Sequence, residues 1–380
     1  MNRKIRLSKS VVGQQEIDAM ARVILEDGYL GMGKEVQAFE QELQAFLDTD
    51  REVICVNTGT AALHLAVMAC VKPGEEVLVP SLTYLASFQA ISAAGAVPVP
   101  CDIVPETGTI DVVDASKRLS EHTRAVMPVH YASSRGDLEG VYRFAQRYSL
   151  RVIEDAAHAF GSLYRGKLIG SFGDVVCFSF DGIKNITSGE GGAIVTADQS
   201  VAQFAKDARL LGVHKDTEQR YKGQRSWEFD VTHQGYRYHM SNILAAIGRV
   251  QLKRFPEFRQ KRQQLARLYQ ENLASLPGLC LFDHDYTEIV PHIFPVRVLN
   301  GKRDSLRTFL LENGIECGIH YYPNHYLTYY SNANSTRQPL PKTEEIYEQL
   351  LTLPLHPDLT KEQVSEIIQL IRGFLAMALT

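Results

Sequence analysis

Between Glu52 and Thr196 the chain sets short β-branched runs at intervals that helices can fill, and this rhythm leaves few folds open. VICV (53–56) leads into a stretch from Thr60 to Val71 that is apolar nearly all round, the pattern of a buried helix. VLVP (77–80), PVPC (98–101) and AVMPV (125–129) follow, each succeeded by helical spacing, near 84–94, 111–119 and 137–148. RVIE, ending in Asp155, then DVVCFSF and GAIVT bring the number of strands to seven. Strands joined by helical crossovers run parallel and are covered on both faces. The last gap, between Ser179 and Gly192, is too short for such a crossover, so the final two runs are predicted to form an antiparallel hairpin. The expected class is therefore α/β: a seven-stranded, mainly parallel sheet flanked by helices.

On either side of this block the rhythm differs. Residues 14–47 read as two amphipathic helices punctuated by Gly28, Gly31 and Gly33. Ile17, Met20, Ala21 and Ile24 are expected to share one buried face, and Val36, Phe39, Leu43 and Phe46 another. Downstream, a helix over 240–254 and a basic helix over 257–275 are predicted, then strands at 293–298 and 315–321. Further helices are expected near 302–313, 343–350 and 360–376, the last started by a Thr360/Gln363 capping box. This divides the chain into a large domain, 1–255, and a smaller α/β domain, 256–380.

Composition excludes several classes. A formal net charge of −4 offers no basic footprint for nucleic acid. No apolar run reaches the length of a membrane span, and the basic start MNRKIRLSKS has no apolar core of a signal peptide behind it. Six cysteines without CxxC spacing read as free thiols of a reducing, cytoplasmic compartment. Twelve histidines show neither HExxH nor paired Cys/His spacing, so no metal site is expected. The Gly189-Glu190-Gly191-Gly192 turn is no Walker loop and opens no helix as a dinucleotide fingerprint would.

What remains is a set of groups at strand ends, where ligands of such sheets gather. Asp155 ends a buried strand, where an unpaired charge is costly. Ser179 ends the next, and Lys184 follows on the loop before the glycine-rich turn. A desolvated lysine has a lowered pKa and becomes a nucleophilic amine. Asn57-Thr58-Gly59-Thr60 joins a strand to a helix, whose free amides suit a phosphate. Tyr84, beyond VLVP, can stack on a ring. One amine, one acid and phosphate donors are the requirements of pyridoxal 5′-phosphate (PLP). His130, His233 and His292 read as ordinary polar residues.

EVQAFEQELQAFL, NTGTAALHLAV, PGEEVLVPSLTYLAS, VIEDAAHAFGS, GSFGDVVCFSF, KNITSGEGGAIVT, MSNILAAIGRVQL and GIECGIHYYP together resemble the DegT/DnrJ/StrS family of PLP-dependent sugar aminotransferases, of the type I aspartate aminotransferase fold. The resemblance implies that Lys184 bonds the cofactor and Asp155 faces its pyridinium nitrogen. It places Gly59, Thr60 and Ser179 on the phosphate and Tyr84 on the ring. His158 stands where the family often has glutamine against the 3-hydroxyl. Two departures concern substrate: Arg237 takes the place of an asparagine that reaches the neighbouring subunit's phosphate, and Ser133-Ser134-Arg135 that of Gly-Gln-Pro. His320 and Tyr321 are expected to help bind the sugar; Arg237 either reaches that phosphate in the asparagine's place or, like Arg135, holds an acidic group on the substrate. The implied reaction moves an amino group from L-glutamate to a keto-sugar in a homodimer with shared sites. A nucleotide-linked keto-deoxy sugar ranks first and an acidic one such as a keto-deoxyoctulosonate second. Retention of Lys184, which related dehydratases replace with histidine, weighs against a dehydratase, an epimerase or a non-catalytic regulator.

Overall fold

The computed structural model describes residues 4–332 and 339–377. Chain order begins with α1 (Gln14–Arg22), a wider turn at Val23–Asp27 and α2 (Lys34–Phe46). Then come β1 (Glu52–Val56), α3 (Gly59–Cys70), β2 (Glu76–Pro80), α4 (Leu85–Ala93), β3 (Val97–Cys101) and α5 (Val112–Lys117). These are followed by β4 (Thr123–Val126), α6 (Leu138–Tyr148), β5 (Arg151–Asp155), the small hairpin β6 (Leu163–Tyr164) and β7 (Lys167–Leu168), β8 (Val175–Ser179) and β9 (Gly192–Thr196).

Seven of these strands form one sheet in the order β1-β9-β8-β5-β4-β2-β3. Only β9 runs against its neighbours, pairing antiparallel with both β1 and β8. The hairpin expected from the short connection is there, with Ser179 opposite Gly192. Side chains alternate across the sheet as the strand period requires. Ile54 and Val56 of β1 pack with α3, α4 and α7 (Gln199–Ala208), while Val53 and Cys55 face α2 and α9 (Asn242–Leu273) on the other side. Both layers are closed, so the sheet top is fixed from above and below. Each fully buried Val, Ile or Phe contributes about 1.5–3 kcal/mol.

α7 and α8 (Asp216–Tyr221) were not foreseen, the sequence reading having left 197–234 unassigned. The face of α1 differs too. Ile17 and Ile24 are exposed, and Glu16, Ala19 and Val23 are buried. The cause is an ion pair: Glu16 Oε1 accepts from Arg254 Nη1 at 2.7 Å and from Gln251 Nε2 at 2.8 Å, turning the acid toward α9.

α9 is one helix through residue 273, where two were predicted with a break near 255. Pro256 lies inside it, and Phe255 and Phe258 on either side are buried deeply enough to hold the helix together despite the missing amide. After α9 come β10 (Leu279–Leu281), β11 (Phe294–Val298), α10 (Arg303–Glu312), α11 (Thr328–Asn332), α12 (Pro341–Gln349), β12 (Leu350–Leu353) and α13 (Lys361–Met377). β10, β11 and β12 form an antiparallel sheet with its own apolar core against α9, α10 and α13. The segment 315–321 is not a strand; it makes single bridges from Ile315 to Ile5 and from Gly318 to Thr352. The capping box is present, Thr360 and Gln363 exchanging bonds of 3.0 and 3.2 Å.

Candidate active site

The site begins with the loop between β8 and β9. Asn185 is buried and donates to the Phe160 and Val290 carbonyls (3.1 and 3.0 Å), Ile186 is buried, and the Ser188 and Lys184 amides bond the Phe180 and Asp181 carbonyls. With its backbone pinned in this way, the loop can point Lys184 only one way. Gly192 permits the last part of the arrangement: a Cβ there would lie 2.6 Å from the Thr58 carbonyl oxygen, so the β1–α3 turn crosses directly over it. Gly59 is equally constrained, since a Cβ would come within 2.7 Å of Ser179 Cβ.

Lys184, Asp155, His158, Ser179, Gly59, Thr60, Tyr84, His320 and Tyr321 all line one cavity of about 440 Å³. The Lys184 ammonium is pulled down to about 8 by burial, against the pull of Asp155 and Asp181 and assisted by Arg262. Its Nζ lies 3.4 Å from His292 Nε2. Asp155 is 5% exposed, yet its carboxylate meets only the Ser87 hydroxyl (2.7 Å) and the Ala157 amide (3.2 Å); no cation is ion-paired to it among the described residues. An anion so held is open to a cationic partner.

Three histidines surround the amine. His158 Nδ1 accepts the Ala132 amide hydrogen (3.3 Å), which assigns the proton to Nε2, 3.0 Å from the Tyr321 oxygen. Burial, followed by Lys184, holds both the His158 and His292 rings far below the usual range and therefore neutral. His320 is lowered to about 4 by the same two causes, and its Nδ1 lies 2.9 Å from Thr352 Oγ1. At the start of α3 the Thr58 hydroxyl caps Ala61 (3.0 Å), and the Gly59 and Thr60 amides beside the Ser179 hydroxyl have no acceptor among the described residues. Tyr84, at the start of α4, is 59% exposed with its ring 5.6 Å from that of Tyr321.

Two residues singled out in the sequence lie elsewhere. Arg135 is outside the cavity, in a separate hollow with Asp283 and Asp285; its guanidinium is taken by Glu288 and, at 3.2 Å, by the Leu163 carbonyl. The expectation that it meets substrate in this cavity is not met. Arg237 is exposed and bridges Leu210 through its backbone, away from this chain's own cavity. His292 was missed: it was read as an ordinary histidine, and nothing local distinguishes it. Its place depends on the segment 288–293 folding back onto the loop of Lys184. Glu190, Asp181 and Thr83 also line the cavity unannounced. His130 and His233 do remain outside, the first bonded to Glu154 (2.8 Å) and the second stacked on Phe204.

The amine, the unpaired acid and the free helix amides thus converge on one cavity, and comparison with known proteins agrees with that chemistry. The sequence profile of the DegT/DnrJ/EryC1/StrS aminotransferase family matches residues 12–372. The chain belongs to this family. Among relatives of this DegT/DnrJ/EryC1/StrS aminotransferase is the spore coat polysaccharide biosynthesis protein SpsC of Bacillus subtilis, 34% identical over 98% of this chain and 97% of that one. Among solved structures, the PLP-form of the putative sugar aminotransferase Spr1654 from Streptococcus pneumoniae superposes with a TM-score of 0.91 at 28% identity, covering 100% of both chains. DesV of S. venezuelae, in complex with a ketimine intermediate, gives 0.85 at 34% identity over 94% of each chain. No helix among the described residues is long and apolar enough to cross a membrane.

Proposed function

We propose that this aminotransferase uses PLP to move the amino group of L-glutamate onto a keto-sugar. The observation that carries the reading is the unpaired Asp155 carboxylate facing the same cavity as a lysine whose ammonium is lowered to about 8. The residues fit the cofactor. A buried anion without a cation suits a pyridinium nitrogen, and two free amides at the start of a helix suit a phosphate. When bound, PLP supplies an electrophilic aldehyde and an electron-withdrawing ring.

The chain's own residues do the rest. Lys184 Nζ would hold the aldehyde carbon of the cofactor and, as a free amine, would move the proton at Cα of the amino donor as a general base, a role worth about 10²–10⁴ in rate. Asp155 would hold positive charge on the ring nitrogen. The Gly59 and Thr60 amides and the Ser179 hydroxyl would hold the phosphate, with Tyr84 for the ring face and His158 for the ring oxygen. His320 and Tyr321 orient the sugar.

A nucleotide-linked keto-deoxy sugar, destined for a surface polysaccharide or another amino sugar, is the substrate we favour, and the printed role of SpsC supports it. The acidic keto-sugar reading loses one of its two supports, because Arg135 is engaged by Glu288. Arg237, exposed on this chain, serves the phosphate of a second subunit in a homodimer. Exposed Ile17, Leu25, Trp227 and Phe229 give that dimer apolar surface to cover. Six cysteines, none of them in a disulfide, suit the cytoplasm.

The test is direct. Purified protein is expected to carry a visible PLP absorbance that Lys184→Ala abolishes. With ¹⁵N-glutamate and a panel of keto-sugars, mass spectrometry should find the label in one sugar. Normal turnover by Lys184→Ala would refute the assignment. Sugar conversion without label would point to a dehydratase or epimerase.

A further inference from the structure

Arg262, on α9, is 2% exposed, and no acid among the described residues is ion-paired to it: burial pulls its guanidinium down to about 10. Arg209, buried more completely still, is bound to Glu40 at 2.6 Å. Burying an ion without a counter-ion costs several kcal/mol, and an apolar side chain of similar volume is often no less stable. Stability therefore does not account for an arginine here.

Its bonds indicate what does. Nη1 donates to the carbonyls of Pro291 (3.3 Å), His292 (3.0 Å) and Leu355 (3.3 Å). The same segment is held on its other side by Ser133, whose hydroxyl accepts the His292 amide (3.1 Å) and meets the Val290 (2.8 Å) and His158 carbonyls. Ser133 is itself in the left-handed region at φ +70°, as is Ala132 at +50°, a conformation non-glycine residues adopt only where surroundings impose it. His292 is thus clamped between a helix and a turn, with Nε2 toward Lys184 and Nδ1 buried without a partner.

We propose that Arg262 is a positioning residue for the reaction at Lys184: it fixes the main chain that aims His292 at the amine, and its uncompensated charge favours the free amine over the ammonium. This rests on the role proposed above for Lys184. The groups facing Lys184 are few. Asp155 from the end of β5 and Asp181 from the loop after β8 favour the ammonium, and Arg262 from α9 opposes it. His158, His292 and His320 are neutral, Tyr321 is held in its phenol form by burial, and Glu190 lies at the cavity edge with its carboxyl raised by burial. Among the described residues Arg262 is thus the cation set against these two acids.

The test uses the full-length chain freed of cofactor, with the pH dependence of trace acetylation at Lys184 read by mass spectrometry. Arg262→Met is expected to raise the midpoint by about one pH unit; an unchanged midpoint in a folded Arg262→Met protein overturns the charge role. Arg262→Gln, which keeps a hydrogen-bonding head without charge, stands in if the methionine variant does not fold, and Arg262→Lys, which keeps the charge but loses the fork, tests the positioning. It should keep the wild-type midpoint while kcat falls about tenfold at unchanged KM, since a small misplacement of a site group is felt in turnover. Wild-type kcat in that variant overturns the positioning role. Acetylation needs neither PLP nor sugar, so a protein that binds no PLP defeats the functional reading alone and leaves the midpoints to decide the charge role.

Discussion

Lys184 makes a claim on stability as well as chemistry. Its amine titrates near 10.5 when free and near 8 in the folded chain. Below pH 8 both states carry the proton, and the folded one holds a charge where burial disfavours it. Between about 8 and 10.5 the folded state has released the proton and the unfolded one has not, so stability rises with pH through that window. Above it the difference is gone. At 1.36 kcal/mol per pH unit, reduced for a partly open cavity, cofactor-free Lys184→Met should be more stable than cofactor-free wild type by about 2–3 kcal/mol at pH 7. Denaturant midpoints of the two proteins should converge near pH 10.5; a constant gap would mean the amine is not desolvated. Residues at this scale were readable in the sequence when strand ends carried them. Asp155, Ser179 and Lys184 follow apolar runs directly, whereas His292 and Arg262 lie many tens of positions beyond Lys184 and reach it only through the fold, and no local pattern encodes that.

Among the elements, the start of α3 has the least freedom. Gly59 is there because Ser179 on β8 is already in the space of a side chain. Gly59→Ala must move either the helix or the strand, at a cost of about 1–3 kcal/mol typical of overpacking. Because the displaced amides are those proposed to hold the phosphate, PLP affinity should fall about tenfold or more, read by absorbance titration. Wild-type affinity would remove these amides from the cofactor site. Element boundaries were legible wherever periodicity and chemistry agreed, as in the β8–β9 hairpin and the Thr360 cap. They were not where a buried ion overrode hydrophobic pattern, as Glu16 does on α1, or where neighbours outweighed a proline, as Phe255 and Phe258 do beside Pro256. Propensity is a weak prior, and tertiary contacts decided these cases.

For the whole molecule the test concerns two subunits. If Arg237 serves a partner's site, Lys184→Ala and Arg237→Ala proteins are each impaired, but mixing unfolded chains and refolding them together should restore about a quarter of wild-type activity. Half the dimers would then be mixed, each with one intact site. No recovery on mixing, or full activity in Arg237→Ala alone, would deny a shared site. The class of sheet was visible from the chain because connection length separates helical crossovers from a hairpin. The exposed Trp227 and Phe229, by contrast, lie in a segment with no regular pattern, and nothing in the sequence marked them as surface.

The 32 residues of α9 span about 48 Å without interruption, from the layer beneath the large sheet to the core of the small one. A beam of that kind resists swivelling between the parts it joins. Any widening of the cleft to admit a bulky sugar therefore has to bend a rod, and the rod lacks one rung of its ladder, at Pro256. If admission of the sugar requires that widening, the joint that yields is this one, six residues from Arg262.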